Sequence, residues 1–415
     1  MSRAKLADLC ELVSDQVDPQ NHAGSLYIGL EHIASGRCAR IGAGVAADVQ
    51  SSKFSFKKGD VLYAKLRPYL DKAVLADSDG ICTTELLVLR PRDGVDSRFL
   101  VSILHDRAFI DHAMSGITGT QHPRTSWNRV SEFDVPQLEP LEQRRIGGAV
   151  WAVHRAVSLC EEALGVAEQL KILAMRELFT LGIRGEPQKE TEIGPVPESW
   201  DVVRLGSLGR IGNGSTPKIS VAAYWDGGIF PWLTSAKVYD REITSAERYV
   251  TQRALAKCHL PRVQPGAVLI AITGQGKTLG HCAVLRIEAT ISQHLAYISV
   301  NPMRADPSFL RGYLETQYGF LRQIASGGGS TKGALTCSFL RELPIPLPPT
   351  VEEQSDLAAI LNTIDHKIGL HKRKKAVLQA LFATLVNNLM TGEIRVADLD
   401  VSTVCEDGSG EEATE

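Results

Sequence analysis

The sequence predicts a tandem repeat of two α/β (α+β) domains, separated by two long helices that form an antiparallel coiled coil. Three observations carry this expectation. The 415 residues repeat internally at a period near 200–210, which defines the architecture before any single element does. Each copy ends in a run whose apolar residues recur in alternating steps of four and three, the pattern of a coiled-coil seam. Between the copies, residues 184–199 are rich in Pro, Gly and charge and read as a linker.

The elements run in the same order in both copies. A short helix-like entry opens each copy at residues 5–9 and 204–208. A strand-like run comes next at 26–30 and 230–234. A Gly-containing turn then opens a second strand at 58–63 and 265–270. A third strand is expected at 82–89 and 291–298, and a helix begins at Phe99-Leu100 and Phe309-Leu310. A proline-flanked strand closes each globular part, with Glu142-Gln143 or Glu353-Gln354 just beyond it.

The long helices come next. The second seam runs Leu357, Leu361, Ile364, Ile368, His371, Lys375, Leu378, Phe382, Leu385, Leu389. The first lies 211 residues earlier, from Ile146 through Val150, Val157 and Cys160 to Lys171 and Leu178. At about 1.5 Å per residue, some forty residues give roughly 60 Å. Gly182 and Gly392 stand where helix C-termini are expected. A heptad run could instead pack on its own domain or zip a homodimer. Two like seams in one chain can satisfy each other. The expected domains are therefore 1–140, a helix 141–183, the linker 184–199, 200–350, a helix 351–395 and an acidic tail 396–415.

Composition narrows the function. Hydrophobic residues make up 44% and charged residues 22%, ordinary for a globular protein. No run of eighteen apolar residues occurs, and the opening sixteen residues are too acidic for a secretory signal. The 8 Cys form no C-x-x-C pair, which suits a reducing cytoplasm. The net charge of −3 hides an uneven distribution. Residues 1–140 carry 16 Lys+Arg against 18 Asp+Glu, net −2, whereas 201–350 carry 16 against 9, net +7. The tail 396–415 has 7 acidic and no basic residues and reads as disordered.

Three groups of strings resemble a known family. One is Ile193-Gly194-Pro195-Val196-Pro197-Glu198-Ser199-Trp200, then Gly214-Ser215-Thr216-Pro217 and Tyr224-Trp225. Another is Ile345-Pro346-Leu347-Pro348-Pro349 with Glu353-Gln354, the seam, and Leu389-Met390-Thr391-Gly392-Glu393-Ile394-Arg395. The third is Gly59-Asp60-Val61-Leu62-Tyr63-Ala64-Lys65-Leu66-Arg67-Pro68-Tyr69 in the first copy. In order and duplication they resemble the specificity (S, HsdS) subunit of type I restriction–modification systems. The first copy departs slightly, lacking the double proline and being one residue shorter before Glu142-Gln143. The resemblance implies a non-catalytic subunit with two target-recognition domains that read a split, asymmetric double-stranded DNA target. It also implies helices that act as a ruler and dock two methyltransferase subunits, and it leaves a restriction or translocase partner open. No cofactor, metal or membrane is expected.

DNA-contact candidates come from residue type and position. In the second domain they are Thr216, Lys218, Thr234, Lys237, Gln275, Lys277, Gln293 and His294 at strand ends and turns, with Ser330, Thr331 and Lys332 in a Gly-rich stretch suited to phosphate. In the first they are Lys65, Arg67 and Tyr69 after a strand, and Gln121, His122 and Arg124 in the loop matching the Gly-rich stretch. Each could equally be a solvated surface residue or a local turn.

Two rival functions have some footing in the residues. Residues 271–278, Ala-Ile-Thr-Gly-Gln-Gly-Lys-Thr, nearly match a phosphate-binding loop, but residues 279–287 read as turn then strand rather than helix. A non-DNA-binding coiled-coil scaffold would use the same helices. Cys258-His259 and His281-Cys282 lack zinc-ligand spacing, and no Asn/Asp-Pro-Pro-Tyr/Phe methyltransferase signature occurs.

Overall fold

A computed structural model describes residues 3–115, 117, 122–274, 276–327 and 334–391. The chain divides into two compact units, Met1–Leu164 with His371–Glu415, and Gly165–Leu370. The division falls inside both long helices, Pro140–Leu181 and Val351–Thr391.

In the first unit a four-stranded sheet runs in the order Cys10–Val13, Leu86–Pro91, Val61–Ala64, Ala73–Leu75. A five-stranded sheet has the order Gln16–Val17, Lys53–Phe56, Gly80–Cys82, Leu26–Ile28, Gly44–Val45. In the second unit a five-stranded sheet has the order Gly209–Asn213, Leu295–Val300, Val268–Ala271, Cys282–Leu285, Glu242–Ile243. Its companion sheet is Arg248–Val250, Phe230–Leu233, Thr290–Ile291. In both units the opening strand pairs with the closing proline strand, Arg3–Lys5 with Asp134–Pro136 and Asp201–Arg204 with Pro344–Leu347. The core helices begin at N-caps Asp96 and Asp306, whose carboxylates accept the backbone N–H groups of the first turn.

Two expectations need correction. The strands read at 82–89 and 291–298 are each two strands in two different sheets. Leu86 N–H donates to Thr83 O at 3.0 Å and Leu295 N–H donates to Ser292 O at 3.1 Å, closing a turn inside each run. The polar triplets Thr83-Thr84-Glu85 and Ser292-Gln293-His294 cannot stay in an otherwise buried strand, so the chain leaves the sheet there. Residues 184–199 are also more than a connection. Gln188–Thr191 and Gly194–Pro197 form an antiparallel hairpin that buries Val196.

The helices keep the expected register, with every seam position buried or half-buried. The first ends at Leu181, and Gly182 takes the positive φ of +66° that the stop requires. Gly392, the expected stop of the second, lies outside the described residues. In the first unit Ile146 and Val150 share a core with Phe382, Val386 and Leu389, and the Cys160 thiol donates to His371 O at 3.3 Å. In the second, Met175 and Phe179 share a core with Leu357, Ala358 and Leu361. Residue numbers rise along one helix as they fall along the other, so the pairing is antiparallel in each unit. The seam lysines are ion-paired: Lys171 lies 2.9 Å from Asp365 and Lys375 lies 3.0 Å from Glu161.

One buried group on the first helix gives a stability prediction. His154 is 4% exposed, and neither ring nitrogen has a hydrogen-bond partner. Burial, reinforced by the charges of Arg37 and His105, depresses its pKa to about 4. An unfolded chain takes up this proton near pH 6.5, about where free histidine titrates. Stability is therefore fully present above that pH and falls as the pH drops toward 4. Between pH 7 and 5 the loss is about 2 kcal/mol, given the linkage between proton uptake and unfolding. His154→Leu is expected to remove that loss. Denaturant titrations at both pH values measure it, and an equal acid loss in the variant would refute it.

Candidate nucleic-acid interface

The broken strands create the site. In the second unit, Ser292 N–H donates to Leu233 O at 2.9 Å, which ties the 292–294 turn to the end of the Phe230–Leu233 strand. Ser215 N–H donates to Ile291 O at 3.0 Å and Gly214 N–H donates to Leu295 O at 3.2 Å. A Cβ at Gly214 would fall 2.0 Å from Ile291 O, so only glycine allows this approach. Ile272 N–H donates to His294 O at 3.0 Å, and Leu335 N–H donates to Ile272 O at 2.8 Å. Thr216, Thr234, Gln293 and His294 thus come together at one edge of the domain. Thr273 joins them by hydrogen bonding to His294 Nδ1.

The same edge is built in the first unit. Thr83 N–H donates to Ile28 O at 3.0 Å, Lys65 N–H to Glu85 O at 3.0 Å, and Thr125 N–H to Lys65 O at 2.9 Å. Arg67 N–H donates to Pro123 O at 2.7 Å, which brings the Lys65–Tyr69 segment beside His122 and Arg124. The Arg124 guanidinium forks onto Glu85, with Nε at 3.0 Å and Nη2 at 3.3 Å. Tyr69 and Arg67 are exposed. Arg67 and Asp71 both have left-handed backbones, φ +52° and +50°, conformations that cost energy in non-glycine residues and cluster at functional sites. Asp71 is held by His105, whose Nδ1 lies 2.7 Å from the carboxylate while Nε2 lies 3.1 Å from Ala73 O. Burial opposes a charge on this ring. The Cys38 sulfur and the Asp71 carboxylate outweigh it and hold the His105 pKa well above its ordinary value.

The remaining candidates are placed differently. Lys218 is exposed, and its carbonyl accepts from Trp225 Nε1 at 3.2 Å. Lys237 is drawn inward by Asp240 and by Glu247 at 3.7 Å, leaving its side chain 12% exposed. Lys277 is exposed on the turn 276–280, and its carbonyl accepts from Tyr318 Oη at 2.7 Å. Gln121, Gln275, Ser330, Thr331 and Lys332 lie outside the described residues, as does the acidic tail. Sequence reading missed Thr83, Glu85, Ser292 and Thr273. For Thr83, Glu85 and Ser292 the signal was a polar triplet interrupting an apolar run at the same place in both copies; Thr273 lies outside it.

The phosphate-loop look-alike does not have the required context. Val268–Ala271 pairs antiparallel with Cys282–Leu285, so residues 272–281 connect a hairpin instead of leading a strand into a helix. Cys282 is buried with its thiol donating to Arg311 O, whereas His281 packs between the Tyr239 and Tyr318 rings. Among the described residues no group of three or more His, Cys, Asp or Glu is arranged to hold a metal, and no helix is long and apolar enough to cross a membrane.

Two duplicated α/β modules with matching polar edges, each packed on paired helices, define a tandem-repeat protein. Residues 197–380 match the family model described as the type I restriction modification DNA specificity domain. The chain is similar to the specificity subunits of type I restriction–modification systems. It is 31% identical over 218 residues to the MjaIX specificity subunit of Methanocaldococcus jannaschii, covering 51% of this chain and about half, 48%, of that one. It is 23% identical to the MjaVIII specificity subunit of the same organism, covering 77% of this chain and 76% of that one. The solved type I restriction–modification S subunit from M. genitalium has a similar fold, with a TM-score of 0.61 at 14% identity over 94% of this chain and 96% of that one.

Proposed function

We propose that the chain reads a bipartite, asymmetric DNA target in the cytoplasm, one part per domain. Without catalysing a reaction itself, it directs two methyltransferase subunits, and restriction subunits where the system has them, to that target. The observation that carries this reading is the pair of equivalent edges bearing different side chains. The first presents Lys65, Arg67, Tyr69, His122 and Arg124, and the second presents Thr216, Thr234, Gln293 and His294. Equivalent scaffolds with unlike readers match a split target with unlike halves. The domain spans 1–140 and 200–350 and the helices 141–183 and 351–395 serve this reading as two readers on a common spacer. The net +7 of the second domain supports a larger share of salt-dependent affinity there.

Methylation mapping in cells with and without the chain tests the proposal. One split asymmetric motif should vanish with the chain. Exchanging residues 201–350 for another recognition domain should change one half of that motif and leave the other. An unchanged methylome would leave only the scaffold reading.

A further inference from the structure

Beside the edge of the second domain stands an arginine that residue type and position had not singled out. Arg248 opens the strand Arg248–Val250 and lies directly across from Trp232. Its guanidinium sits 4.7 Å from the centre of the Trp225 ring and 5.6 Å from that of Trp232. The two indoles meet edge to face at 5.1 Å. Each also donates from Nε1 into the loop carrying Thr216, Trp232 to Ser215 O and Trp225 to Lys218 O, both at 3.2 Å. One aromatic platform therefore fixes the loop and seats the arginine.

The chemistry of that seat is specific. A guanidinium lying over an aromatic face uses its π surface, and its N–H donors remain free in its own plane. Arg248 is exposed, and among the described residues no carboxylate is ion-paired with it. The neighbouring Arg262 makes the contrast. It covers the Phe230 ring at 5.1 Å, but it is committed to Glu288 at 3.9 Å and to Gln252 at 3.4 Å. The first domain has a different arrangement, a lysine, Lys53, 5.7 Å from the centre of a single tyrosine ring, Tyr27, and no stacked guanidinium among the described residues. There Tyr27 occupies the place of Trp232, in a strand paired in parallel on one side and antiparallel on the other, and the residue across from it is Gly44.

We infer that Arg248, stacked on Trp225 and Trp232, is a specificity-determining residue that reads a guanine in the half of the target bound by the second domain. The inference rests on the bipartite reading proposed above. An in-plane pair of donors matches guanine O6 and N7 in the major groove. The stacked seat removes rotamer freedom before DNA arrives, so less entropy is lost on contact.

The test uses the chain assembled with its methyltransferase subunits, comparing wild type with Arg248→Met and Arg248→Lys. Methylation mapping is combined with competition binding to duplexes altered one base pair at a time. Arg248→Met keeps apolar cover over the indoles. It should lower discrimination at one G·C position of the second half by about 5- to 150-fold, the range for losing a bidentate contact. The first half and the melting temperature should not change. An unaltered motif with weaker, less salt-dependent binding would make Arg248 a phosphate contact and overturn the inference. So would lost binding to both halves together with a lowered melting temperature, the mark of a covering role. Should Arg248→Met fail to fold, Arg248→Lys decides, because it keeps the charge but not the planar fork. Wild-type discrimination in that variant overturns the inference, and loss at a single G·C position sustains it. A wild-type assembly with no split motif would instead refute the bipartite reading itself.

Discussion

Asp365→Ala is expected to destabilise the second unit by about 3–5 kcal/mol, the cost of stripping one partner from buried charges. Asp365 is 10% exposed at the side chain and faces three cations. Lys171 Nζ lies 2.9 Å away, Arg311 Nη2 lies 3.5 Å away, and Arg241 is in direct contact. The cluster's other carboxylate is Glu315, which also pairs with Lys171, Arg241 and Arg311. Burial raises the Glu315 pKa, but Arg241, Lys171 and Arg311 together pull it below its ordinary value. Three cations thus share two carboxylates. Removing Asp365 leaves all three on Glu315, and Lys171 and Arg311 have no water to turn to. Lys171→Met leaves two cations on two carboxylates and should cost about 1 kcal/mol, because the remaining charges stay balanced. Denaturant unfolding of both variants at neutral pH reads the contrast. Equal losses would mean that charge balance is not what holds the cluster.

The first unit fills the equivalent positions with different chemistry. His105 stands nine residues beyond the N-cap Asp96, as Glu315 stands nine beyond Asp306. His154 and Phe382 replace Asp365 and Lys171 at a spacing of 211. Fixed charges join the helices to one globular domain, and imidazoles and an aromatic ring join them to the other. The pH response of the two junctions differs accordingly. His105 contributes stability below about pH 6.5 that is lost as pH rises through its elevated pKa, whereas His154 loses stability on acidification. At the second junction Glu315, held below the usual carboxylate range by Arg241, Lys171 and Arg311, stays charged across that window.

The helices were legible because a seam needs only apolar residues at fixed spacing, and Leu357, Leu361 and Phe382 supply it. The strand ends were legible as turn residues meeting apolar runs, as at Gly59-Asp60 and Pro265-Gly266. The split of residues 82–89 and 291–298 between two sheets was not, because it depends on which neighbour each half pairs with. The hairpin at 188–197 was hidden by its polar composition, since Pro and Gly serve a tight turn as well as a linker. At the site, Thr234, Gln293 and His294 could be picked by position. Arg248 could not, because its significance comes from Trp225 and Trp232, and neither stacking nor the absence of a carboxylate is written in residue order.

Gln354→Leu is expected to cost about 3–5 kcal/mol, since each buried polar group left without a partner costs about 1–3 kcal/mol. Gln354 is 1% exposed and all of its amide is used. Its Oε1 accepts from Asp306 N–H at 2.8 Å, and its Nε2 donates to Arg304 O at 3.2 Å and Pro348 O at 3.4 Å. One side chain therefore fastens the start of the long helix to the N-cap of the core helix Pro307–Thr316. Gln143 repeats the device in the first unit, accepting from Asp96 N–H at 3.3 Å and donating to Leu138 O at 2.9 Å. With fewer bonds and 7% exposure, Gln143→Leu should cost less, about 2 kcal/mol. Gln354→Glu discriminates shape from chemistry. It keeps the volume but aims a carboxylate at two carbonyl oxygens, so its pKa should rise above the ordinary range. That variant should be most destabilised near pH 7 and recover as pH falls and the acid O–H can donate. A Gln354→Glu protein as stable as wild type at neutral pH would mean that the glutamine only fills space. The Glu-Gln pair that recurs after each globular part would then owe nothing to these bonds.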